Sequence, residues 1–339
     1  MENAAIWGGQ SIMRPGWRVV FIVTLLVTMG FWALGGAASA DDGIQCGSVI
    51  TEDTVLTHDL LDCENGLVIG APNVTLDLGG HRVVGRGTGT GIELTVPEAE
   101  AHSSTVRNGS IRSFGIGVSV GSSFYPTGAA GMATLSNLNI ASNGTGIWVH
   151  AEVIQPGNAK GTRIEQNKIQ DNADDGIFVH ASGKVDVIDN RIRGNGRSGI
   201  FFEQCRGGFG GPCSIEGNRV TKNGRGALLY DSGGPVLDNT FSENAGDGLF
   251  VSDYMCQFLD GHRVGANLAV DNGGLGIGAG GYPASDGGSC ESGGYELFDA
   301  GGNAASRNGD PRECAMFQVE NGITCARNRG QAKARAADG

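Results

Sequence analysis

Two rows of side chains that could bind or act on a sugar follow a glycine that recurs along the chain. The first row stands two residues after that glycine and the second row stands four residues after it. The first row contains Trp148, Phe178, Phe201 and Phe250, and the second row contains His150, His180, Glu203 and Tyr230. Flat rings offer their faces to the C–H groups of sugars, whereas imidazole, carboxylate and phenol groups supply acid–base chemistry. We therefore take the first row as a substrate-binding candidate and the second row as a catalytic one.

The second row fits β-elimination, hydrolysis or epimerisation of an extracellular polysaccharide. For β-elimination, a cation would neutralise a uronate carboxylate while a base removes the adjacent proton. We assign His150 or His180 as the base or charge neutraliser, with Glu203 orienting and Tyr230 as the acid. A binding protein without catalysis is the other hypothesis, and the sequence favours it slightly because no recognised catalytic set is present.

The two rows also have a purely structural interpretation. Extra residues enter the repeat at 151–161, 204–213, 252–262 and 279–294, directly after the strand that would carry the rows. Insertions at one phase of a repeat emerge on one face, which is often the binding face. They could wall a groove beside the rows. If they fold back instead, they bury the rings as a small second core and both rows lose their role.

The element that must position both rows is a sequence repeat. The pattern N-x-I-x-x-N-x-x-x-G-I begins near Asn137, Asn167, Asn190, Asn218, Asn239 and Asn267, and its final glycines are 30, 23, 27, 22 and 28 residues apart. A period in the twenties with short β-branched runs predicts a solenoid. Runs such as Ile177-Phe-Val179 alternate, so Ile and Val should face inward and the rings outward. We expect Glu93 and Gly117 to extend the first row and Thr95 and Ser119 the second.

The asparagines of the repeat predict a structural ladder rather than a catalytic site. Parallel strands stack about 4.8 Å apart, so the second asparagine of each copy falls into one column. That column contains Asn143, Asn172, Asn195, Asn223, Asn244 and Asn272. Side-chain amides in such a stack bond to the next layer. We also expect glycine and asparagine to adopt left-handed backbone conformations at the corners.

These copies resemble the right-handed parallel β-helix proteins of the pectin-lyase-like superfamily. The segments Cys46-Gly-Ser-Val-Ile-Thr51 and Val74-Thr-Leu-Asp-Leu-Gly-Gly-His81 are similar to the start of its exported members. The resemblance covers residues 46–310 and implies an all-β fold, a right-handed parallel β-helix of about ten rungs. It implies no single activity, because the superfamily holds lyases, hydrolases, epimerases and non-enzymes. No family catalytic residue can be carried over, since no polygalacturonase-like Asp pair with G-H-G and R-I-K occurs.

The first forty residues resemble a secretory signal peptide. Arg14 and Arg18 precede an apolar run, and Ala38-Ser39-Ala40 gives an A-x-A cleavage site. The alternative is an uncleaved membrane anchor. We predict a signal peptide at 1–40, an N-terminal cap at 41–66, the β-helix at 67–310, and a C-terminal cap with a basic disordered tail at 311–339. The mature protein should be secreted or periplasmic, with no membrane segment after cleavage.

All eight cysteines follow the predicted cleavage site, as expected for disulfides in an exported chain. Their clustering suggests pairing between neighbours, namely Cys46 with Cys63, Cys205 with Cys213, Cys256 with Cys290, and Cys314 with Cys325. A metal site is the alternative, but no C-x-x-C or Cys/His knuckle occurs, so we predict no metal and no cofactor.

Charge narrows the choice of partner. The net charge of −12 argues against nucleic acid, which binds basic patches, and leaves a polysaccharide or cell-surface glycan as the predicted partner. A second outward stripe could pair with uronate or sulfate groups, or be a solvated face beside Glu165, Glu216 and Asp171. This stripe contains Lys168, Arg191, Arg193, Arg219 and Lys222. Asp174-Asp175 resembles the paired carboxylates of glycosidases, although Asp247 is its one echo in the repeat.

Overall fold

The structure is a computed structural model that describes residues 43–94, 103–121, 132–150, 161–180, 184–205, 212–253, 262–281, 297–317 and 325. The predicted signal peptide and basic tail lie outside these residues. Within them, the regular structure consists of β-strands, and every strand pairing is parallel. No helix in this part of the chain is long and apolar enough to cross a membrane.

The strands form three stacks that together make a parallel β-helix. In the described residues the first sheet has eleven strands, in the order β1 (Val49–Ile50), β4 (Leu67–Ile69), β7 (Thr90–Leu94), β9 (Ile116–Val120), β11 (Thr145–His150), β14 (Ile177–His180), β17 (Ser198–Glu203), β20 (Arg225–Tyr230), β23 (Leu249–Asp253), β26 (Ile277–Gly281) and β29 (Cys314–Phe317). This agrees with the expected count of about ten rungs.

The second and third sheets share two long strands, β8 (Ser103–Arg112) and β10 (Met132–Ala141), whose two halves belong to different sheets. The other strands of the second sheet are β2 (Thr54–Val55), β5 (Thr75–Asp77), β12 (Thr162–Glu165), β15 (Val185–Ile188), β18 (Ser214–Glu216), β21 (Val236–Leu237), β24 (His262–Gly265) and β27 (Leu297–Gly301). Those of the third sheet are β3 (Leu60–Cys63), β6 (Arg82–Gly85), β13 (Lys168–Gln170), β16 (Arg191–Arg193), β19 (Arg219–Thr221), β22 (Thr240–Ser242), β25 (Leu268–Val270) and β28 (Ala304–Ser306).

The core is built from the alternation predicted in each strand. In β14, Ile177 and Val179 are fully buried while Phe178 and His180 are partly exposed. Ile177 pairs with Ile147 on one side and Ile200 on the other, so like residues stack in columns. Each buried aliphatic side chain contributes about 1.5–3 kcal/mol, which fixes the face of every strand.

Asparagine forms two ladders, one more than expected. The predicted column is confirmed: Asn172 donates from its backbone nitrogen and from Nδ2 to Oδ1 of Asn195, at 3.1 and 2.8 Å. The first asparagine of the repeat builds a second ladder by the same contacts, made of Asn167, Asn190, Asn218, Asn239, Asn267 and Asn303. Asn137 does not belong to it, because Leu138 occupies that register position and donates to Asn167 Oδ1.

The expected left-handed corner conformation is confirmed for glycines such as Gly194 and Gly217 and is wrong for the ladder asparagines. The ladder asparagines do not adopt positive φ; the residue immediately before each one does, as Asp171 before Asn172 and Asp189 before Asn190. The asparagine itself must keep its side chain directed along the solenoid axis. The left-handed turn therefore falls on its neighbour.

The repeat glycine is needed for close approach rather than for positive φ. Gly176 is absent from the positive-φ residues, and a Cβ placed on it would lie 2.6 Å from the carbonyl oxygen of Gly199 in the next coil. Any side chain here would push two coils apart, which explains why the sequence repeats glycine at this position.

Disulfides cross-link the solenoid near both ends and after β17. The disulfides Cys46–Cys63, Cys205–Cys213 and Cys314–Cys325 are present as expected, whereas the predicted Cys256–Cys290 pair lies outside the described residues. The segment predicted as an N-terminal cap contributes strands β1, β2 and β3 to the three sheets. An edge strand invites pairing with other chains, and the first disulfide holds this edge in place.

Candidate functional site

The first row lies on the outer face of the first sheet, in the predicted register. Trp148 pairs with Phe178, and Phe178 pairs with Phe201. Leu228 follows Phe201 and separates it from Phe250. Strand pairing thus brings together side chains of this row that are more than twenty residues apart in the sequence.

Three of the rings form a continuous stack. The centroids of Trp148 and Phe178 are 5.6 Å apart with planes inclined by 45°, and those of Phe178 and Phe201 are 5.2 Å apart with planes inclined by 27°. All three side chains are half-buried, in contrast to the inward Ile147 and Ile177. The indole nitrogen of Trp148 is buried and has no hydrogen-bond partner among the described residues, so that edge of the ring is covered.

The second row runs beside the rings and contains a short polar contact between His180 and Glu203. His180 Nδ1 lies 2.8 Å from Glu203 Oε2, and the two side chains are 43% and 32% exposed. His150 stands one coil before His180, with ring centroids 6.3 Å apart in an edge-to-face arrangement. Tyr230 is one coil beyond Glu203 in the same register. A carboxylate bound to one imidazole nitrogen fixes the tautomer and leaves the other nitrogen for a ligand.

The electrostatics of the row distinguish its two histidines. Burial lowers the pKa of His150, and the neighbouring positive charge of a protonated His180 lowers this pKa further. The indole ring of Trp148 lies against the imidazole of His150 with a centroid separation of 4.4 Å. His150 is therefore protonated less readily than an ordinary histidine, whereas the imidazole of His180 has a carboxylate partner in Glu203.

The predicted extension of the rows toward the N-terminus is wrong by two residues in one coil. Trp148 pairs with Ser119, and Ser119 pairs with Glu93. Ser119 thus belongs to the first row, and Gly117 takes the place of the repeat glycine, where its Cβ would meet the coil containing Gly146. The alternation of Ile116, Val118 and Val120 in β9 carries the signal that could have set this register. Thr95 lies outside the described residues, as do most residues of the four insertions.

The paired acidic residues are explained by structure. Asp175 is buried, and its Oδ1 accepts a hydrogen bond from the backbone nitrogen of Ser198 at 2.8 Å. Burial raises its pKa, against the lowering effect of that hydrogen bond and of Arg197. Asp247 makes the equivalent contact with the backbone of Leu275 at 2.7 Å. Both carboxylates connect adjacent coils, and the described residues contain no group of three or more His, Cys, Asp or Glu arranged to hold a metal ion.

Comparisons with known proteins agree with this architecture. The family described as right handed beta helix region matches residues 90–277, more than half of the chain. No curated protein matches the chain.

Three solved structures with similarity to this chain are an epimerase module, a second epimerase and a phage tailspike domain. The A-module of mannuronan C-5 epimerase AlgE4 from Azotobacter vinelandii has a TM-score of 0.50 and 14% identity, over 70% of this chain and 66% of that module. The chain thus spans just under two thirds of it. A variant of the periplasmic alginate epimerase AlgG has a TM-score of 0.42 and 15% identity, over 84% and 79% of the two chains. The enzymatically active domain of tailspike protein 2 of bacteriophage CBA120 has a TM-score of 0.38 and 12% identity, over 80% and 43%. At 14% identity, the likeness to the AlgE4 module shows a shared fold.

Proposed function

The chain belongs to the family of proteins with a right-handed β-helix region, and we propose that it is an exported member of this family. We propose further that it binds an extended extracellular polysaccharide or cell-surface glycan along the first row. The signal-peptide pattern of residues 1–40 supports export. The three disulfides among the described residues support it independently, because disulfides persist in oxidising compartments. The AlgE4 module of similar fold is named as an epimerase of mannuronan, which is consistent with a glycan partner.

The observation that carries the proposal is the stack of half-buried rings on the outer face. Trp148, Phe178 and Phe201 lie on successive coils with centroids 5.2–5.6 Å apart, close to the length of one sugar unit. An extended glycan could lie along them with one sugar on each ring. Because a ring contact contributes about 0.5–1.5 kcal/mol by analogy with aromatic pairs, three rings favour modest affinity.

The test removes two ring faces. Replacing Trp148 and Phe178 by Ala should weaken binding on a glycan array about 5- to 150-fold while the melting temperature stays nearly unchanged. The matched control is Trp148→Phe with Phe178→Tyr, which keeps both faces and should keep binding. If the Ala variant instead loses several kcal/mol of unfolding free energy, the rings are a second core beneath the insertions and the proposal fails.

A second candidate function, a polysaccharide lyase, hydrolase or epimerase, is favoured by the contact between His180 and Glu203. Here His180 or His150 would be the base, Glu203 the positioning residue and Tyr230 the acid. The assay incubates the protein with a uronan and follows new ultraviolet absorbance, new reducing ends and exchange of the C5 proton. Activity that disappears in His180→Gln and drops with a shifted pH profile in Glu203→Gln supports catalysis. No turnover of any of the three kinds leaves the binding function alone.

A further inference from the structure

The outer face of the third sheet carries a column of cations in register. Lys168 pairs with Arg191, and Arg191 pairs with Arg219, on the successive strands β13, β16 and β19. Lys168 and Arg191 are exposed and Arg219 is half-buried. Arg193 stands two residues after Arg191 on the same outer face. We name Lys168, Arg191 and Arg219 the cationic column.

No carboxylate lies within ion-pair distance of the cationic column in the described part of the chain. Three of the neighbouring carboxylates make other contacts: Glu165 forms an ion pair with Arg163 at 2.6 Å, and the Oδ1 atoms of Asp171 and Asp189 point along the axis toward Gly194 and Gly217. Lys222, which the sequence placed in the same stripe, is paired with Glu243 and does not belong to the column.

Several arginines elsewhere on the solenoid, unlike those of the cationic column, are paired with an aspartate. Near the ends, arginines bind an aspartate of an adjacent coil, often with two nitrogens on one carboxylate. These pairs are Arg82–Asp59, Arg86–Asp62, Arg107–Asp77 and Arg307–Asp271. Like charges directly opposite one another in a sheet are destabilising. The cations of the column therefore repel one another, whereas the arginines near the ends are neutralised by aspartates. This repulsion persists although the chain as a whole has a net charge of −12.

We propose that the cationic column is a binding surface for a linear acidic polysaccharide, one that carries an acid group on each sugar and lies along the solenoid axis. Successive cations are about 4.8 Å apart, close to the length of one sugar unit, so consecutive acid groups can each meet one cation. The phosphates of a duplex DNA strand are about 3.4 Å apart along the axis and do not match this spacing. The column lies on the third sheet, so this site is independent of the ring stack on the first sheet.

The experiment reverses the central charge of the column. Arg191→Glu places a carboxylate between Lys168 and Arg219, where it pairs with both across the strands. The probe is polygalacturonate, with highly methyl-esterified polygalacturonate as the neutral counterpart and duplex DNA as a polyanion of different spacing. The matched control is Arg263→Glu, which makes the same charge change at an exposed arginine of the second sheet.

The expected result has two parts. Arg191→Glu weakens binding of polygalacturonate at low salt at least about tenfold and leaves the melting temperature equal to or above that of the wild type. Arg263→Glu leaves polygalacturonate binding within about twofold of wild type, and the esterified probe is unaffected by either change. A lower melting temperature for Arg191→Glu means that the cations are structural and overturns the proposal. Equal weakening by both variants, or binding of duplex DNA as tight as that of polygalacturonate, assigns the effect to bulk charge and overturns the proposal as well.

Discussion

Replacing Asn190 by Ala should destabilise the solenoid more than replacing its neighbour in the same ladder. Asn190 Oδ1 accepts hydrogen bonds from the backbone nitrogen and from Nδ2 of Asn167, at 2.9 and 3.1 Å. Its own Nδ2 donates to the carbonyl oxygen of Ile164 and to Asn218 Oδ1. The side chain is buried, so water cannot replace these contacts.

The size of the effect follows from the donors that lose their acceptor. Asn190→Ala leaves two hydrogen-bond donors of Asn167 without an acceptor. Each buried donor without an acceptor costs about 1–3 kcal/mol, so the free energy of unfolding should fall by about 2–6 kcal/mol. Asn167 is the matched control. It donates through Nδ2 to a carbonyl and to the next asparagine, but its Oδ1 accepts one hydrogen bond, from Leu138 nitrogen at 2.9 Å. Asn167→Ala should therefore lose about 1–3 kcal/mol less than Asn190→Ala.

The assay is equilibrium unfolding in urea with the disulfides intact, followed by circular dichroism and tryptophan fluorescence. Coinciding transitions from the two probes are required before the free energies are compared, because solenoids can unfold in parts. An equal loss in the two variants, or a loss under about 1 kcal/mol for Asn190→Ala, would contradict the ladder argument.

Three other predictions follow from the fold, the site and the N-terminus. Ile177→Asp should abolish the β-sheet circular dichroism at room temperature, because an unpaired buried carboxylate costs several kcal/mol. The control Ile177→Val should lower the free energy of unfolding by about 0.5–1.5 kcal/mol. Native-like melting of the Asp variant would refute the inward register. Because the pKa of His150 is lowered in the fold, the unfolded chain takes up the proton more readily, and His150 contributes a loss of stability as pH falls through the ordinary histidine range of about 6.5. The melting temperature of His150→Gln should thus fall less than that of the wild type between about pH 7.5 and about pH 5.5; equal slopes would show that His150 does not titrate differently in the fold. Secreted material should begin at Asp41 on amino-terminal sequencing, and a start at Met1 would reject cleavage of the signal peptide.

The sequence was enough to predict the coil and the direction of most side chains. Ile177, Phe178 and Val179 alternate within one strand, so their burial is decided by residues that are adjacent in the chain. The repeat of Asn172, Asn195 and Asn223 likewise predicts stacking, because parallel coils of one period must align equal residues. Local alternation and a recurring motif are properties that a sequence displays directly.

The tertiary structure decided the contacts that depend on how far each coil is offset from the next. Coils differ in length by several residues, so the sequence placed Gly117 in the first row although pairing puts Ser119 there. The contact between His180 and Glu203 joins residues 23 positions apart, and it exists because the strands of two unequal coils start at the same level. The same offset leaves Arg191 facing other cations while Arg82 meets Asp59. Charge pairing between coils depends on register and side-chain direction together, which only the assembled solenoid fixes.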